Sequence, residues 1–497
     1  MNNKLVSLIQ LTNLKDDQEL CESFVRYSTG MAEKHGYRHQ EILDIAELLD
    51  NLNLSIDDCE GFIFGYLVPQ LNKEFDLIKI TKDYVLNIEL KSQPKDEQGI
   101  LKQLSQNNHY LKLFGKNVYC FTFVSSTNKL YKILDEELKE ATFEELKILC
   151  SMEYVGDIDF DEIFAPKHIL VSPLNDANRF LNGDYLLTEN QENIKRRIFS
   201  KINDLKFPCF IGLTGGPGTG KTLLLYDIAK ELSQTRKVLV VHSGMLCKGH
   251  NTLEEGIPNV KIIDAKKLRT CAINDVDYLL IDEAQRLYET TLDKVENWVI
   301  ENEAFCLISY DPLQRLSHYE NNSNTVDKIT ELCRDNTEKL TNKIRTNKEM
   351  SLFIRCLFDL KEIKKSNVSN CIKVFSCIKI FYEPRENEAI KLAEFLNNEG
   401  YQYIGFTTSY YVNELNYQKG EINTHSVIGQ EFDKVCMIMD SHFFYKDNKL
   451  MARQHPNPDY IFTKLLYEGI TRARSGLALI ITDKDLFKNI LSLFNKN

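Results

Sequence analysis

Short apolar runs separated by polar, glycine-bearing turns recur along the chain and predict strands alternating with helices. Residues 209–214, 237–243, 277–281 and 305–310 are rich in Val, Ile, Leu, Phe and Tyr, as expected of strands covered on both faces of a parallel sheet. Helical spacing follows at 223–232, and a polar helix opens at 187–191. Apolar strands resume at 435–439 and 477–481. Toward the N-terminus the pattern changes. Strands are expected at 60–68, 75–80 and 84–92, the last with alternating faces, after a helix at 40–52 and before one that contains residues 106–110. The polar, breaker-rich stretch 172–178 reads as a linker. The expectation is an α/β protein of three domains, 1–172, 180–345 and 346–497.

Composition narrows this picture. A chain of 497 residues accommodates about three domains at ~150 residues each. With 43% hydrophobic residues and a mean hydropathy of −0.32, a soluble globular protein is expected. Residues 1–13 lack a basic region followed by a long apolar run, and no apolar stretch approaches the ~20 residues of a membrane helix. No membrane association and a cytoplasmic location follow as expectations. The thirteen cysteines contain no C-x-x-C pair, which argues against zinc or iron–sulfur clusters and fits reduced, buried thiols. A net charge of −11 does not advertise nucleic-acid binding, yet it leaves room for a local basic groove.

The strongest chemical signal lies between the strand at 209–214 and the helix at 223–232. Gly215, Gly216, Pro217, Gly218, Thr219, Gly220, Lys221 and Thr222 form G-x-x-x-x-G-K-T, a loop whose backbone N–H groups can turn inward around phosphates because glycines leave them unobstructed. Lys221 adds a point charge, and the Thr222 hydroxyl can hold Mg²⁺. Sixty residues on, the strand at 277–281 delivers Asp282 and Glu283 at its C-terminal end, where open α/β sheets place ligands. Asp282 suits the surroundings of Mg²⁺, and Glu283 is placed to orient and deprotonate the attacking water. ATP and Mg²⁺ are the expected cofactors.

Further motifs follow in order: Gln191 before the loop, Asp282-Glu283-Ala284-Gln285, a polar turn at Asp311-Pro312-Leu313-Gln314, Ile344-Arg345, Gly429-Gln430-Glu431-Phe432-Asp433, and Thr471-Arg472-Ala473-Arg474. In this order the chain resembles superfamily 1 helicases of the UvrD kind over about residues 185–485, and most of all the compact DUF2075 and Schlafen-like helicase domains. The resemblance implies two RecA-like domains with doubly wound parallel sheets. It implies that Gln191 reads adenine, that Gln314 senses the γ-phosphate, that Arg345 and Arg472 act as arginine fingers, and that Glu431 ties nucleic-acid or ATP contacts to domain closure. Ile344 in place of the usual Tyr, the reversed Gly429-Gln430 order and Ser309-Tyr310-Asp311 in place of G-D depart from the pattern. About sixty residues separate the phosphate loop from Asp282, and fewer than eighty separate Arg345 from Thr424, which excludes the large accessory domains of processive UvrD enzymes.

The N-terminal third carries a second constellation. Asp76 and the pair Glu89-x-Lys91 lie on what reads as a hairpin, so that adjacent strands bring both carboxylates to one Mg²⁺ or Mn²⁺ while Lys91 points to the same side. This resembles PD-(D/E)XK nucleases, and Gln106 with Tyr110 is similar to the Q-x-x-x-Y element of RecB-family nucleases. The resemblance implies a restriction-endonuclease-like α/β domain. Glu47 on the helix at 40–52 is a further candidate acid, and His109 a structural or surface residue. The reading is a nuclease–helicase fusion acting on nucleic acid, DNA ahead of RNA, in DNA processing or anti-phage defence by resemblance. Two alternatives stay open: a translocase whose N-terminal domain only binds, and an ATPase switch that recruits a protein partner. A homo-oligomer is also left open.

Overall fold

A computed structural model describes residues 4–29, 39–68, 73–94, 96–134, 137–156, 158–159, 163–164, 171–204, 208–341, 348–362, 375–408, 422–454 and 459–494. The chain divides into two compact units, Met1–Ile169 and Leu170–Asn497. Among the described residues no helix is long and apolar enough to cross a membrane.

The N-terminal unit is built on one sheet of β1 (Phe62–Val68), β2 (Lys73–Ile80), β3 (Tyr84–Lys91), β4 (Asn117–Val124), β5 (Lys129–Leu134) and β6 (Glu137–Ala141), in that spatial order. Neighbours are antiparallel except β3 and β4. A parallel pair needs a crossover, and the helix Glu97–Leu111 supplies it, started by the Asp96 carboxylate accepting the Gly99 N–H. A second helix, His39–Leu52, buries Ile42, Ile45, Leu48 and Leu52 at helical spacing against Phe62, Leu77, Leu86 and Ile88.

The alternation expected in β3 is chemically present but does not separate core from solvent, because every residue from Tyr84 to Leu90 is buried. Asn87 and Glu89 face the helix Glu97–Leu111, whose Asn107 amide donates to Asn87 Oδ1 at 2.8 Å and whose Gln103 amide donates to Glu89. A carboxylate can be buried here because polar partners come with the cover.

The C-terminal unit carries two parallel sheets. The first has the order β12 (Thr337–Leu340), β7 (Cys209–Gly215), β11 (Phe305–Tyr310), β10 (Tyr278–Asp282), β8 (Val238–His242), β9 (Val260–Asp264). Its central strands β8 and β11 are buried throughout, the physical meaning of their continuous apolar runs. The second has the order β13 (Ile378–Tyr382), β18 (Ala473–Ile481), β15 (Phe432–Met439), β14 (Gln402–Tyr403), with a hairpin of β16 (Phe443–Lys446) and β17 (Lys449–Ala452) beside it. Parallel strands point their C-terminal ends to one edge, so β7, β10 and β11 deliver Gly215, Asp282 and Asp311 together.

The stretch expected as a linker is instead part of this unit. Val171, Leu174, Ala177 and Phe180 are buried with Leu253 and Ile257, three residues apart so that one side of the segment packs. The Leu174 carbonyl oxygen lies only 1.9 Å from where a Cβ on Gly249 would stand. Gly249→Ala therefore has to displace backbone, and we expect it to destabilise the unit by about 3 kcal/mol despite the better helix propensity of alanine. An unchanged thermal midpoint for this variant would contradict the packing described here.

Candidate active site

β7 ends at Gly215, and the loop Gly216, Pro217, Gly218, Thr219, Gly220 leads into the helix Lys221–Leu232. Gly218 and Gly220 have φ of 73° and 81°, backbone that a side chain would strain. Lys221 Nζ donates to the Gly215 and Gly216 carbonyls at 2.8 and 3.2 Å, holding the ammonium over the loop. Gln191 braces it from the side. Its Nε2 donates to the Thr219 and Gly220 carbonyls at 3.3 and 3.4 Å, while its Oε1 accepts the Thr188 N–H at 2.9 Å.

Asp282 is fully buried at the end of β10. Its Oδ2 accepts the Thr222 hydroxyl at 3.1 Å, and its Oδ1 has no hydrogen-bond partner among the described residues. An orphaned buried carboxylate oxygen beside a hydroxyl fits a divalent cation held between Thr222 and Asp282. His242, paired in register with Asp282 from β8, places Nδ1 3.5 Å from Asp282 Oδ2.

Glu283 follows at a φ of 58°, a left-handed conformation rare for this residue type, which throws its side chain away from the strand direction. Its Oε2 accepts from Gln285 Nε2 at 2.7 Å. Gln285 in turn accepts the Asp311 N–H at 3.1 Å and donates to the Gln314 carbonyl at 3.4 Å, tying the ends of β10 and β11 together. Burial opposes ionisation of Glu283, but Arg286, Lys221 and Arg472 around it outweigh burial and hold its carboxyl down, to about 2. Glu283 is therefore a carboxylate at neutral pH.

Glu468, on the helix Phe462–Ile470 that precedes β18, closes this network from the second sheet. It accepts the Gln314 side-chain amide, and its Oε2 lies 3.5 Å from Arg286 Nη2 and its Oε1 2.8 Å from Arg472 Nη2. Arg472 also donates to the Gln430 carbonyl at 3.2 Å. Burial raises the Glu468 carboxyl above its ordinary range against the pull of Arg472 and Arg286. Glu431 is buried, its Oε2 accepting Arg474 Nε at 3.3 Å and its own N–H donated to Asn175 at 2.8 Å. Arg345 lies outside the described residues. Gln285, Arg286 and Glu468 were not anticipated individually, although the first two directly follow Asp282-Glu283-Ala284 and Glu468 stands one helical turn before Arg472.

Two clefts open beside this network. One, of about 300 Å³, is lined by Pro217 of the phosphate loop, Arg355, Phe358, Tyr467 and Thr471. The other, of about 510 Å³, has Lys266, Arg269, Arg286, Tyr288, Tyr319 and His425 among its walls, with the acids Glu320 and Asp459. Tyr288 and Tyr319 are 47% and 45% exposed, with ring centroids 4.8 Å apart. The Arg269 guanidinium lies 5.2 Å over the Tyr288 ring.

In the N-terminal unit the β2–β3 ladder runs from Ile80 and Val85 to Leu77 and Ile88 and ends there. One step further Asp76 and Glu89 stand across from one another, and Asp76 Oδ2 accepts the Leu90 N–H at 2.8 Å where the backbone pairing has stopped. Burial first, then the charges of Glu89 and Glu41, raise the Asp76 carboxyl well above its usual range, with Lys91 pulling the other way. Asp76, Glu89 and Lys91 are thus electrostatic neighbours. Glu41 joins them from the helix His39–Leu52, whereas Glu47 is exposed and its carbonyl accepts the Asn51 amide. From the helix Glu97–Leu111 it is Gln103 that reaches Glu89. Tyr110 packs edge-on against Phe75 with centroids 6.2 Å apart, and Gln106 is partly exposed. Among the described residues no group of three His, Cys, Asp or Glu side chains forms a ready-made metal cage.

Residues 208–425, less than half of the chain, match the Schlafen group 3, DNA/RNA helicase domain family. No curated protein matches the chain in sequence. Similar solved structures include Bacteroides Pif1 bound to ssDNA, 12% identical over 61% of this chain and 94% of that one with a TM-score of 0.32. Bacteroides Pif1 with ADP-AlF3 and ssDNA is 11% identical over the same shares, with a TM-score of 0.33. The E. coli DExH-box NTPase HrpB is 10% identical over 61% of this chain and 42% of that one, with a TM-score of 0.30. At such scores the likeness assigns no chemistry. Residues 208–425 are thus similar to the Schlafen group 3 helicase domain, and the phosphate loop and the acidic pair after β10 lie within that match.

Proposed function

We propose that the C-terminal unit is an ATP-driven motor that moves along nucleic acid and that the N-terminal unit cleaves nucleic acid with a divalent metal. The observation that carries the first part is the burial of Glu283, Gln314, Arg286 and Arg472 around Glu468, which makes the residues next to the phosphate loop and an arginine from the second sheet one ion network. Anything that repositions Arg472 also repositions what Glu283 and Gln314 touch.

The loop N–H groups and Lys221 take the phosphates, and Gln191 keeps the loop in shape. Glu283 orients the attacking water and accepts its proton. Arg472 leaves Glu468 to meet the negative charge that develops on the transferred group, and Gln314 follows. Thr222 and Asp282 would hold a divalent cation, which would neutralise charge on the phosphates. The cleft of Tyr288, Tyr319, Lys266 and Arg269 suits a single strand, bases stacking on the exposed rings and phosphates meeting the cations. Movement follows if closing the two sheets on ATP shifts the walls of that cleft.

The nuclease half rests on Asp76, Glu89, Lys91 and Glu41 at one open end of a ladder, with a helix, three antiparallel strands, a crossover helix and a parallel strand in sequence. DNA is the substrate placed first, and a place in DNA processing or anti-phage defence rests on resemblance alone.

The test is ATP hydrolysis with and without single-stranded DNA or RNA, in the wild type and in Arg472→Ala. Wild-type turnover should rise with nucleic acid. An arginine finger contributes ~10³-fold or more to phosphoryl transfer, so Arg472→Ala should lose about that factor in kcat with little change in KM and no stimulation. Normal stimulated rates in the variant would remove the two-sheet reading of ATP chemistry.

A further inference from the structure

We propose that Arg286 is the positioning residue through which a nucleic-acid strand in the aromatic cleft controls Glu283: a phosphate of the strand takes the guanidinium, and Glu283 is released to the water. The inference rests on the proposed reading of that cleft as the nucleic-acid site. Arg286 ends the turn Ala284–Arg286 directly after Glu283, and its side chain is 2% exposed. It nevertheless lines the cleft together with Lys266, Arg269 and Tyr288. One residue therefore borders both the ATP chemistry and the candidate strand path.

Its bonding explains why it can be drawn away. Nε is 3.5 Å from Glu283 Oε2, Nη2 is 3.5 Å from Glu468 Oε2, and Nη1 is 3.8 Å from Glu320 Oε2. Charge-assisted pairs of good geometry close to about 2.7–2.9 Å, so one guanidinium is shared at long range among three carboxylates. Among the described residues Nη1 has no hydrogen-bond partner although it is buried. A phosphodiester brings two charged oxygens in the spacing that a guanidinium chelates, and the orphaned Nη1 gives it a first point of attachment. Once Arg286 turns to the strand, Glu283 keeps Gln285 as its partner at 2.7 Å and loses a cation that competes for its oxygen.

The experiment compares ATP turnover with and without single-stranded oligothymidylate in the wild type, Arg286→Lys and Arg286→Gln, with thermal midpoints and fluorescent-nucleotide affinity as fold controls. Coupling between sites is commonly 5- to 150-fold. We expect both variants to gain at least about fivefold in turnover without nucleic acid and to lose most of their stimulation. A merely structural arginine would instead lower both rates together, and that outcome, or an unchanged stimulation ratio, overturns the proposal. Binding offers a measurement that does not depend on those variants folding. Coupling is reciprocal, so Glu283→Gln, which removes the competing charge, should bind labelled oligothymidylate several-fold more tightly than the wild type without ATP. Equal or weaker binding counts against the exchange of partners. A wild type that neither DNA nor RNA stimulates defeats the reading of the cleft itself, whereas a stimulated wild type with indifferent Arg286 and Glu283 variants defeats this inference alone.

Discussion

Glu283→Gln is expected to bind ATP normally and to lose turnover by about 10³-fold, within the range for removal of a positioned general base. The amide keeps the volume and can still meet Gln285, but it cannot accept a proton, and the pairing with Arg286 goes with the charge. Lys221→Ala should behave differently. Loss of a charge-assisted contact costs ~2 kcal/mol, so the dissociation constant for ATP should rise about thirtyfold. The carbonyls of Gly215 and Gly216 that the ammonium now holds are also left to water. The two effects separate in a nucleotide titration combined with initial rates at saturating ATP. Wild-type turnover by Glu283→Gln would remove Glu283 from the role of base, and unchanged affinity in Lys221→Ala would remove Lys221 from the phosphates.

Asp76→Asn and Glu89→Gln are each expected to eliminate Mg²⁺- or Mn²⁺-dependent cleavage of DNA or RNA. Polarising a phosphate and activating water are worth several kcal/mol, about 10³-fold or more in rate. Lys91→Ala should lower cleavage strongly as well, and Glu41→Gln should weaken it where Glu47→Gln does not. ATP turnover should persist in all of them, because its residues belong to the other compact unit. The pH dependence has a definite sign. Burial, Glu89 and Glu41 raise the Asp76 carboxyl, so protons compete with a cation there and metal-dependent cleavage should strengthen as pH rises. Linear, circular and single-stranded substrates, each with and without ATP, provide the readout. Fragments that persist in Glu89→Gln, or a wild type that cuts nothing in either metal, would leave the N-terminal unit as a binding module.

The features legible in the chain alone are those whose chemistry is local. The phosphate loop is eight contiguous residues, Gly215 to Thr222, whose conformation follows from where glycine stands. The apolar runs that became β8, β10 and β11 announce a buried parallel sheet because a strand covered on both faces has no polar side to show. Asp282 and Glu283 were legible at the end of such a run, and Asp76 and Glu89 as acids on neighbouring strands. Their partners come from the fold. Arg286 and Glu468 are 182 positions apart and meet because the turn after β10 and the helix before β18 come together in the fold. Glu41 and Glu47 share a helix, and its docking through Ile42, Ile45 and Leu48 turns the first toward Asp76 and leaves the second in solvent. The same holds for 171–180, polar enough to read as a linker until Leu174 finds Gly249. Turn and strand preferences act over a few residues, whereas a buried ion pair forms only where distant backbones bring both charges out of water together.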